Sequence, residues 1–174
     1  MKRDEKVKLN LGCGEKYLDG YINCDIVEGL KKDRYINLNK FPYPFPDNYA
    51  DEIWMDMVLE HLENLVTVVD ELHRILKHNG VLKIIVPYAK SDWAIQDPTH
   101  IHFFNEKSMD YFIDDYRYNY YTKTRFVKLT ARLYTSTETL LSRIRNLIPF
   151  RRILKHFIFN MYDGIYFELK AIKV

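Results

Sequence analysis

Apolar and polar residues alternate through Val7-Lys8-Leu9-Asn10-Leu11, the two-residue period of a β-strand. Gly12-Cys13-Gly14 breaks the pattern. Tyr21-Ile22-Asn23-Cys24-Asp25-Ile26 reads as a second strand and Tyr35-Ile36-Asn37-Leu38 as a weaker third. A loop punctuated by Pro42, Pro44 and Pro46 follows, because proline can continue neither regular element. Residues 50–57 form a fourth strand. Leu62, Leu65, Val66, Val69, Leu72 and Leu76 then recur at three- and four-residue steps, which predicts an amphipathic helix over 62–77 with Asn79-Gly80 as its left-handed cap. The β-branched run 81–86, closed by Pro87, is a buried strand. Residues 88–104 read as a long loop, and Asn105 as the cap of a short helix reaching about residue 113. A long strand over 118–135, a helical stretch over 137–160 interrupted at Pro149, and a last strand over 162–174 complete the chain.

Strands that alternate with helices imply an α/β fold: a Rossmann-like, open, mainly parallel sheet whose last strands pair as an antiparallel edge. The 174 residues suit a single domain, 1–174, with a helical insertion at about 137–160. A parallel crossover normally takes a dozen or more residues, yet only about nine separate the first two strands, and no helix precedes the first. The helical layer on one face is therefore reduced. Parallel sheets are usually apolar on both faces, so the 137–160 segment or a second subunit is expected to cover the thin side, and a homodimer follows.

At 47% hydrophobic the chain can bury a sizeable core, but no run reaches the ~18 apolar residues of a membrane span. The charged start, Met1 to Lys6, lacks the apolar region of a signal peptide, which predicts a cytoplasmic protein. A net charge of +2 excludes an evident nucleic-acid partner. Cys13 and Cys24 are expected as free thiols, and no Cys/His spacing matches a zinc site. Aromatic residues, at 15%, suit a core with polar handles or a site that stacks on sugar-like ligands.

A Gly-x-Gly turn after a buried strand lets a ligand approach the backbone, and ligands of open α/β sheets sit beyond the strands' carboxyl ends. An acid ending the next strand, here Asp25, is placed to accept hydrogen bonds from ribose hydroxyls. The dinucleotide fingerprint wants a third glycine and an acid about 20 residues on. Tyr17 stands at that glycine position, and Asp25 follows Gly14 by only eleven residues. A phosphate-free adenosine fits better than a nicotinamide dinucleotide, so an oxidoreductase is disfavoured.

Leu9-Asn10-Leu11-Gly12-Cys13-Gly14 followed by Gly20-Tyr21-Ile22-Asn23-Cys24-Asp25-Ile26 resembles the first two motifs of class I S-adenosylmethionine-dependent methyltransferases. Phe41 to Glu52, Val58-Leu59-Glu60-His61-Leu62 and Leu76-Lys77-His78-Asn79-Gly80-Val81-Leu82 resemble later segments of that family, within its small type 11-like subgroup. Asp97-Pro98-Thr99-His100 with Phe103-Phe104 resembles a subgroup linked to cell-envelope sugar metabolism. The resemblance covers about residues 7–113. It implies S-adenosylmethionine as cofactor, Leu11, Gly12, Cys13 and Gly14 around its methionine part, Asp25 on the ribose, Ile26, Asn37 and Leu38 by the adenine, and Met57 at the methyl donor. The family often has an acid where Asn37 stands. The Asp/Asn-Pro-Pro-Tyr/Phe motif of base-amine methyltransferases is absent, since Asp56-Met57-Val58-Leu59 occupies that place.

Methyl transfer to a hydroxyl needs alignment and a base. His61, His100 and His102 are the candidates, imidazole titrating near neutrality. Asp97, His100 and His102 could also hold a cation, but no metal ligand is assigned from the sequence. Tyr88 and Trp93 are candidates to stack on a sugar face. The reading is an enzyme acting on a small-molecule or saccharide hydroxyl, possible cell-envelope polysaccharide biosynthesis included, with a non-catalytic cofactor-binding partner of another enzyme as the alternative. The 137–160 segment holds an excess of Lys and Arg among Leu, Ile and Phe. It reads either as a helical pair packed on the sheet or as a surface for anionic lipid or a lipid-linked saccharide.

Overall fold

The computed structural model describes residues 6–113, 117 and 119–173. Seven strands form its sheet: β1 (Lys8–Leu11), β2 (Ile22–Asp25), β3 (Arg34–Tyr35), β4 (Ala50–Asp56), β5 (Leu76–Pro87), β6 (Arg125–Tyr134) and β7 (Gly164–Ile172). Their order is β3-β2-β1-β4-β5-β7-β6. The first five run parallel, and β7 lies antiparallel between β5 and β6. The chain steps outward from β1 to β3 and then returns to β4, so the carboxyl ends of β1 and β4 border the point where strand order reverses. In open α/β sheets that is where ligands bind. The mainly parallel sheet with an antiparallel end is the expected fold class.

Helix α1 (Leu65–Ile75) starts where the Asn64 side chain accepts a hydrogen bond from the Thr67 amide at 3.1 Å. It buries Val68, Val69, Leu72 and Ile75, a side-chain burial of about 1.5–3 kcal/mol each. These join one core with the sheet residues Leu9, Ile53, Leu82 and Leu169, which occupy one row across β1, β4, β5 and β7. The helix is shorter than the 62–77 pattern predicts. A 3₁₀ turn takes Leu59–His61, and Leu76 is already extended and paired with Ala50. Asn79 does adopt a left-handed conformation, φ 65°, but inside β5 beside a register shift rather than as a helix cap. Pairing with β4 thus claims residues that the helical period also suits.

The opposite sheet face is polar. Lys83 pairs with Glu52 at 2.8 Å, Tyr21 also donates to Glu52, and Trp54 packs on Tyr166 with ring centres 6.3 Å apart. This alternation resembles the watered face of an antiparallel sheet. The expectation that 137–160 or a second subunit must cover an apolar face is therefore corrected, and the packing reason for a dimer goes with it. The reduced helical layer itself is present. No helix fills residues 12–21; the loop is held instead by Asn10 and Asn23, whose side chains pair at 2.8 Å and reach the Lys16 and Leu18 backbone.

The 137–160 segment is only partly helical. α3 (Leu140–Leu147) and α4 (Arg151–Leu154) are short, and turns follow to Asn160. It sits at the end of the sheet near Tyr134 and Gly164. Arg145 pairs there with Asp163 at 2.8 Å, and the Arg151 guanidinium lies 4.3 Å from the Tyr162 ring centre. The 88–104 loop contains an unforeseen turn of helix, α2 (Asp92–Ile95). Asn105 accepts from the Lys107 amide in a local turn, and a 3₁₀ stretch over Ser108–Phe112 takes the place of the expected helix. The strand expected from 118 begins at Arg125; residues 114–116 and 118 lie outside the described residues. Cys13 and Cys24 are both free and buried, as expected. No helix among the described residues is long and apolar enough to cross a membrane.

Candidate active site

A cavity of about 590 Å³ opens at the carboxyl ends of β1, β2 and β4. Gly12, Cys13, Gly14, Asp25, Ile26, Asn37, Leu38 and Met57 line it, as do Lys16, Val58 and His61. The turn is a backbone device. Gly12 has φ 73°, and a Cβ there would lie 2.5 Å from Val58 Cγ2. Gly14 has φ 49° and nothing within 4 Å of a built Cβ. Asp25 is 8% exposed and accepts from the Gly14 amide at 2.7 Å and the Val27 amide at 2.8 Å. The carboxylate therefore fixes the turn and still faces the cavity, with oxygen lone pairs to spare. Met57 holds a left-handed backbone, φ 56°, directly after β4. Such conformations in residues other than glycine cost of order 1–2 kcal/mol and gather at functional sites. Leu11 is fully buried under the turn and does not line the cavity.

A second cavity of about 610 Å³ adjoins the first, and Lys16, Asp56, Met57 and His61 line both. Lys16 and Asp56 form an ion pair of 2.7 Å in that shared wall. The second cavity is otherwise bounded by Glu60, Trp93, Gln96, Asp97, His100, Tyr134 and the hydroxyl-rich run Thr135 to Glu138. Trp93 meets Tyr134 edge-on, centres 6.3 Å apart. Tyr88, by contrast, is a core residue against Tyr162.

Glu60 is the residue that sequence reasoning missed. Its side chain is wholly buried, and neither carboxylate oxygen has a hydrogen-bond partner. Burial, aided by the nearby charges of Asp56 and Asp97, pushes its pKa up to about 7. The 3₁₀ turn fixes its backbone, and its carbonyl accepts from the Ile101 and His102 amides at 2.9 and 3.2 Å. Those bonds dock the Asp97–Phe104 loop onto the turn. The available signal was a charged residue between Leu59 and Leu62 in a segment read only as a family marker.

The structure brings His61 and His100 together, ring centres 4.7 Å apart, edge to face. His61 Nδ1 lies 2.9 Å from Thr99 Oγ1, which itself donates to Asp97 at 2.7 Å. His100 Nδ1 lies 3.1 Å from the Ala94 carbonyl. Burial and the neighbouring His100 lower the pKa of His61, so its neutral ring is favoured. His102 is not with them: its Nε2 bonds to the Leu62 carbonyl at 2.8 Å and staples the loop. The expected grouping of Asp97, His100 and His102 is thus replaced by Glu60, His61 and His100.

The fold recurs among methyltransferases of known structure. A chain from the complex of the Haloferax volcanii Trm112 methyltransferase activator with a methyltransferase aligns with TM-score 0.66 at 12% identity, over 97% of this chain and 84% of that one. An S-adenosylmethionine-dependent methyltransferase from Archaeoglobus fulgidus gives 0.63 at 16% identity, over 96% and 86%. One from Mesorhizobium loti gives 0.63 at 10%, over 95% and 90%. The class is therefore the class I methyltransferase fold. Residues 9–84 match the family model described as a methyltransferase domain. Over those residues the chain is similar to methyltransferase domains, and the solved structures show the class I fold. No curated protein matches it significantly.

Proposed function

We propose that the chain transfers the methyl group of S-adenosylmethionine to a hydroxyl of a small polyhydroxylated acceptor, a saccharide or saccharide derivative. The observation that carries this reading is the pair of adjoining cavities, one walled by the glycine turn and Asp25, the other by hydroxyls, an indole and titratable side chains that include Glu60, His61 and His100. Gly12, Cys13 and Gly14 wrap the methionine part of the cofactor, Asp25 holds the ribose, and Ile26, Asn37 and Leu38 border the adenine. Met57 lies in the shared wall where the sulfonium meets the acceptor. The cofactor supplies the methyl cation equivalent; Trp93 and the 135–138 run orient the acceptor, and Glu60, His61 and His100 face the hydroxyl that gives up its proton. His102 shapes the loop and holds no proton for the reaction. The link to envelope saccharides rests on the resemblance of Asp97 to Phe104 alone.

The exposed apolar side chains Leu140, Leu141, Leu147, Phe150 and Phe157, set among arginines, are the surface we assign to a lipid-linked acceptor or an anionic lipid face. Light scattering tests the other occupant: a dimer that persists when Leu147 and Phe157 are replaced by serine removes this surface as its seat.

The central test incubates the protein with S-adenosylmethionine and panels of free sugars, nucleotide sugars and amines, reading S-adenosylhomocysteine and methylated product by mass spectrometry. An ether-methylated saccharide is expected. Methylation of amines alone would overturn the acceptor class, and cofactor binding without turnover on any panel would favour the non-catalytic partner.

A further inference from the structure

Glu60 poses a physical problem that the general reading leaves unsolved. A fully buried carboxylate without a hydrogen bond is strongly destabilising unless it is neutralised or paired. No Lys or Arg reaches it among the described residues, and its nearest charged neighbours, Asp56 and Asp97, are acids. The groups that do approach it are two imidazoles. One donor atom each from Glu60, His61 and His100 lies within 4.8 Å of the others.

The outer partners of the two rings are informative. A metal-bound imidazole usually donates its other N–H to a carbonyl, carboxylate or similar acceptor, which fixes the tautomer. His100 Nδ1 is placed to donate to the Ala94 carbonyl at 3.1 Å. His61 Nδ1 is placed to donate to Thr99 Oγ1 at 2.9 Å, and that hydroxyl donates onward to the Asp97 carboxylate at 2.7 Å. In those tautomers each ring keeps its Nε2 lone pair, with His100 Nε2 3.9 Å from Asp97 Oδ2, in a wall that also contains the unpartnered carboxylate. From this arrangement we propose that Glu60, His61 and His100 form a binding site for a divalent transition-metal ion of the zinc class, open on its fourth side to the acceptor cavity.

Ligand chemistry favours that class. Two imidazoles and one carboxylate suit Zn²⁺, Co²⁺ or Fe²⁺, whereas Mg²⁺ prefers all-oxygen sites. Three protein ligands with one open position are the pattern of a catalytic rather than a structural ion. Donors about 2.1 Å from a tetrahedral ion stand about 3.4 Å apart, so small side-chain rotations close the set. The inference rests on the second cavity being the acceptor side. An acceptor hydroxyl at the open position loses its proton to solvent, because a bound cation lowers the hydroxyl pKa. The oxygen lone pair then forms the new bond to the methyl carbon, and the carbon–sulfur bond breaks with its electron pair retained by sulfur. The products are the methyl ether, S-adenosylhomocysteine and one proton.

The test uses the full chain stripped with a chelator and titrated with Co²⁺, then Zn²⁺, then Mg²⁺. Co²⁺ is expected to bind one to one with visible d–d absorption, Zn²⁺ to displace it, and Mg²⁺ to do neither. His100→Ala and Glu60→Gln should each weaken Co²⁺ binding on the order of 100-fold, and Thr99→Val on the order of 10-fold by freeing the His61 ring. S-adenosylhomocysteine affinity, measured by calorimetry on the same samples, should stay within about twofold of the parent in His100→Ala, which also shows that the variant is folded. A wild-type protein that binds S-adenosylhomocysteine but gives no Co²⁺ band overturns the proposal, as does Co²⁺ binding undiminished in both ligand variants. Loss of cofactor binding with Co²⁺ binding intact would overturn the cofactor-site reading and leave the metal site standing.

Discussion

The two adjoining cavities are nearly equal in size, about 590 and 610 Å³, and they are built by different means. The first cavity, proposed above for the cofactor, is made of backbone: a left-handed glycine turn, a carboxylate that bonds to two amides, and strand ends at the point where the sheet order reverses. The second, proposed for the acceptor, is made of side chains carried on a 3₁₀ turn, on a docked loop and on the run after β6. A backbone-built site depends on conformation and close approach, so few residue types fit it. A side-chain site can exchange its functional groups while the scaffold stays the same. On the proposed function the first cavity would hold the cofactor and the second would set which acceptor is methylated.

The sharpest way to break this contrast is at the glycines. Gly12→Ala places a Cβ 2.5 Å from the stiff, branched Val58 side chain at φ 73°. Left-handed strain of about 1–2 kcal/mol and overpacking of about 1–3 kcal/mol add, so thermal denaturation should show a loss of about 2–5 kcal/mol. Gly14→Ala meets nothing within 4 Å, so its loss should stop at the strain of about 1–2 kcal/mol. Its methyl group enters the cavity proposed for the cofactor, and S-adenosylhomocysteine affinity should fall more than stability does. Equal effects of the two variants on both readouts would refute the backbone account.

Asp25→Ala comes next. It removes the partner of two amides and the ribose contact proposed above, and hydrogen bonds to a charged group are worth about 1.5–3 kcal/mol each. Calorimetry should show at least a ~100-fold loss of S-adenosylhomocysteine affinity. Retention of parent affinity would show that the adenosine lies elsewhere.

These positions also mark how far the sequence could be read. Gly12, Gly14 and Asp25 were legible because the chain chemistry at a turn admits few residue types. The mainly parallel sheet with an antiparallel edge followed from alternation of strands and helices; its strand order did not. The bare face was misjudged because a parallel strand was assumed apolar on both sides, although Glu52, Trp54 and Lys83 spell out the polar alternation. The 62–77 helix was overextended because Leu76 satisfies both the helical period and the strand register with Ala50. Glu60 was missed for another reason. Its importance comes from burial beside His100, forty residues away in sequence, and no local pattern encodes that meeting.

Glu60→Leu tests the acceptor side in the opposite sense. Replacing an unpaired buried charge by an apolar group of similar bulk should stabilise the metal-free protein by about 1–3 kcal/mol, while turnover falls at least ~100-fold. A variant that is less stable than the parent would mean that Glu60 has a structural partner after all. A stabilised, fully active variant would remove the carboxylate from the chemistry. The expected result, a more stable but less active variant, separates the side-chain cavity from the backbone cavity, where loss of function and loss of stability should run in the same direction.

The smallest effect lies away from both cavities and serves as their reference. His73 on α1 packs edge-on against Phe126, ring centres 5.1 Å apart, and its Nε2 bonds to the Ile172 carbonyl at 2.9 Å. Burial is the main cause that lowers its pKa, so the folded protein binds its proton more weakly than the unfolded chain does. The linked stability is complete above the unfolded value of about 6.5 and declines as pH falls through that value, levelling off below the depressed folded pKa. Denaturant titrations between pH 8 and about pH 5 should therefore show a shallow acid-side loss, reached before the carboxylates titrate. His73→Gln keeps a donor for Ile172 and carries no titrating group, so that part of the slope should vanish. Cofactor affinity in the variant should match the parent, since His73 borders neither cavity. A slope unchanged in His73→Gln would assign the acid sensitivity to His61 instead, whose pKa burial also lowers, and would tie the stability of the domain to the second cavity.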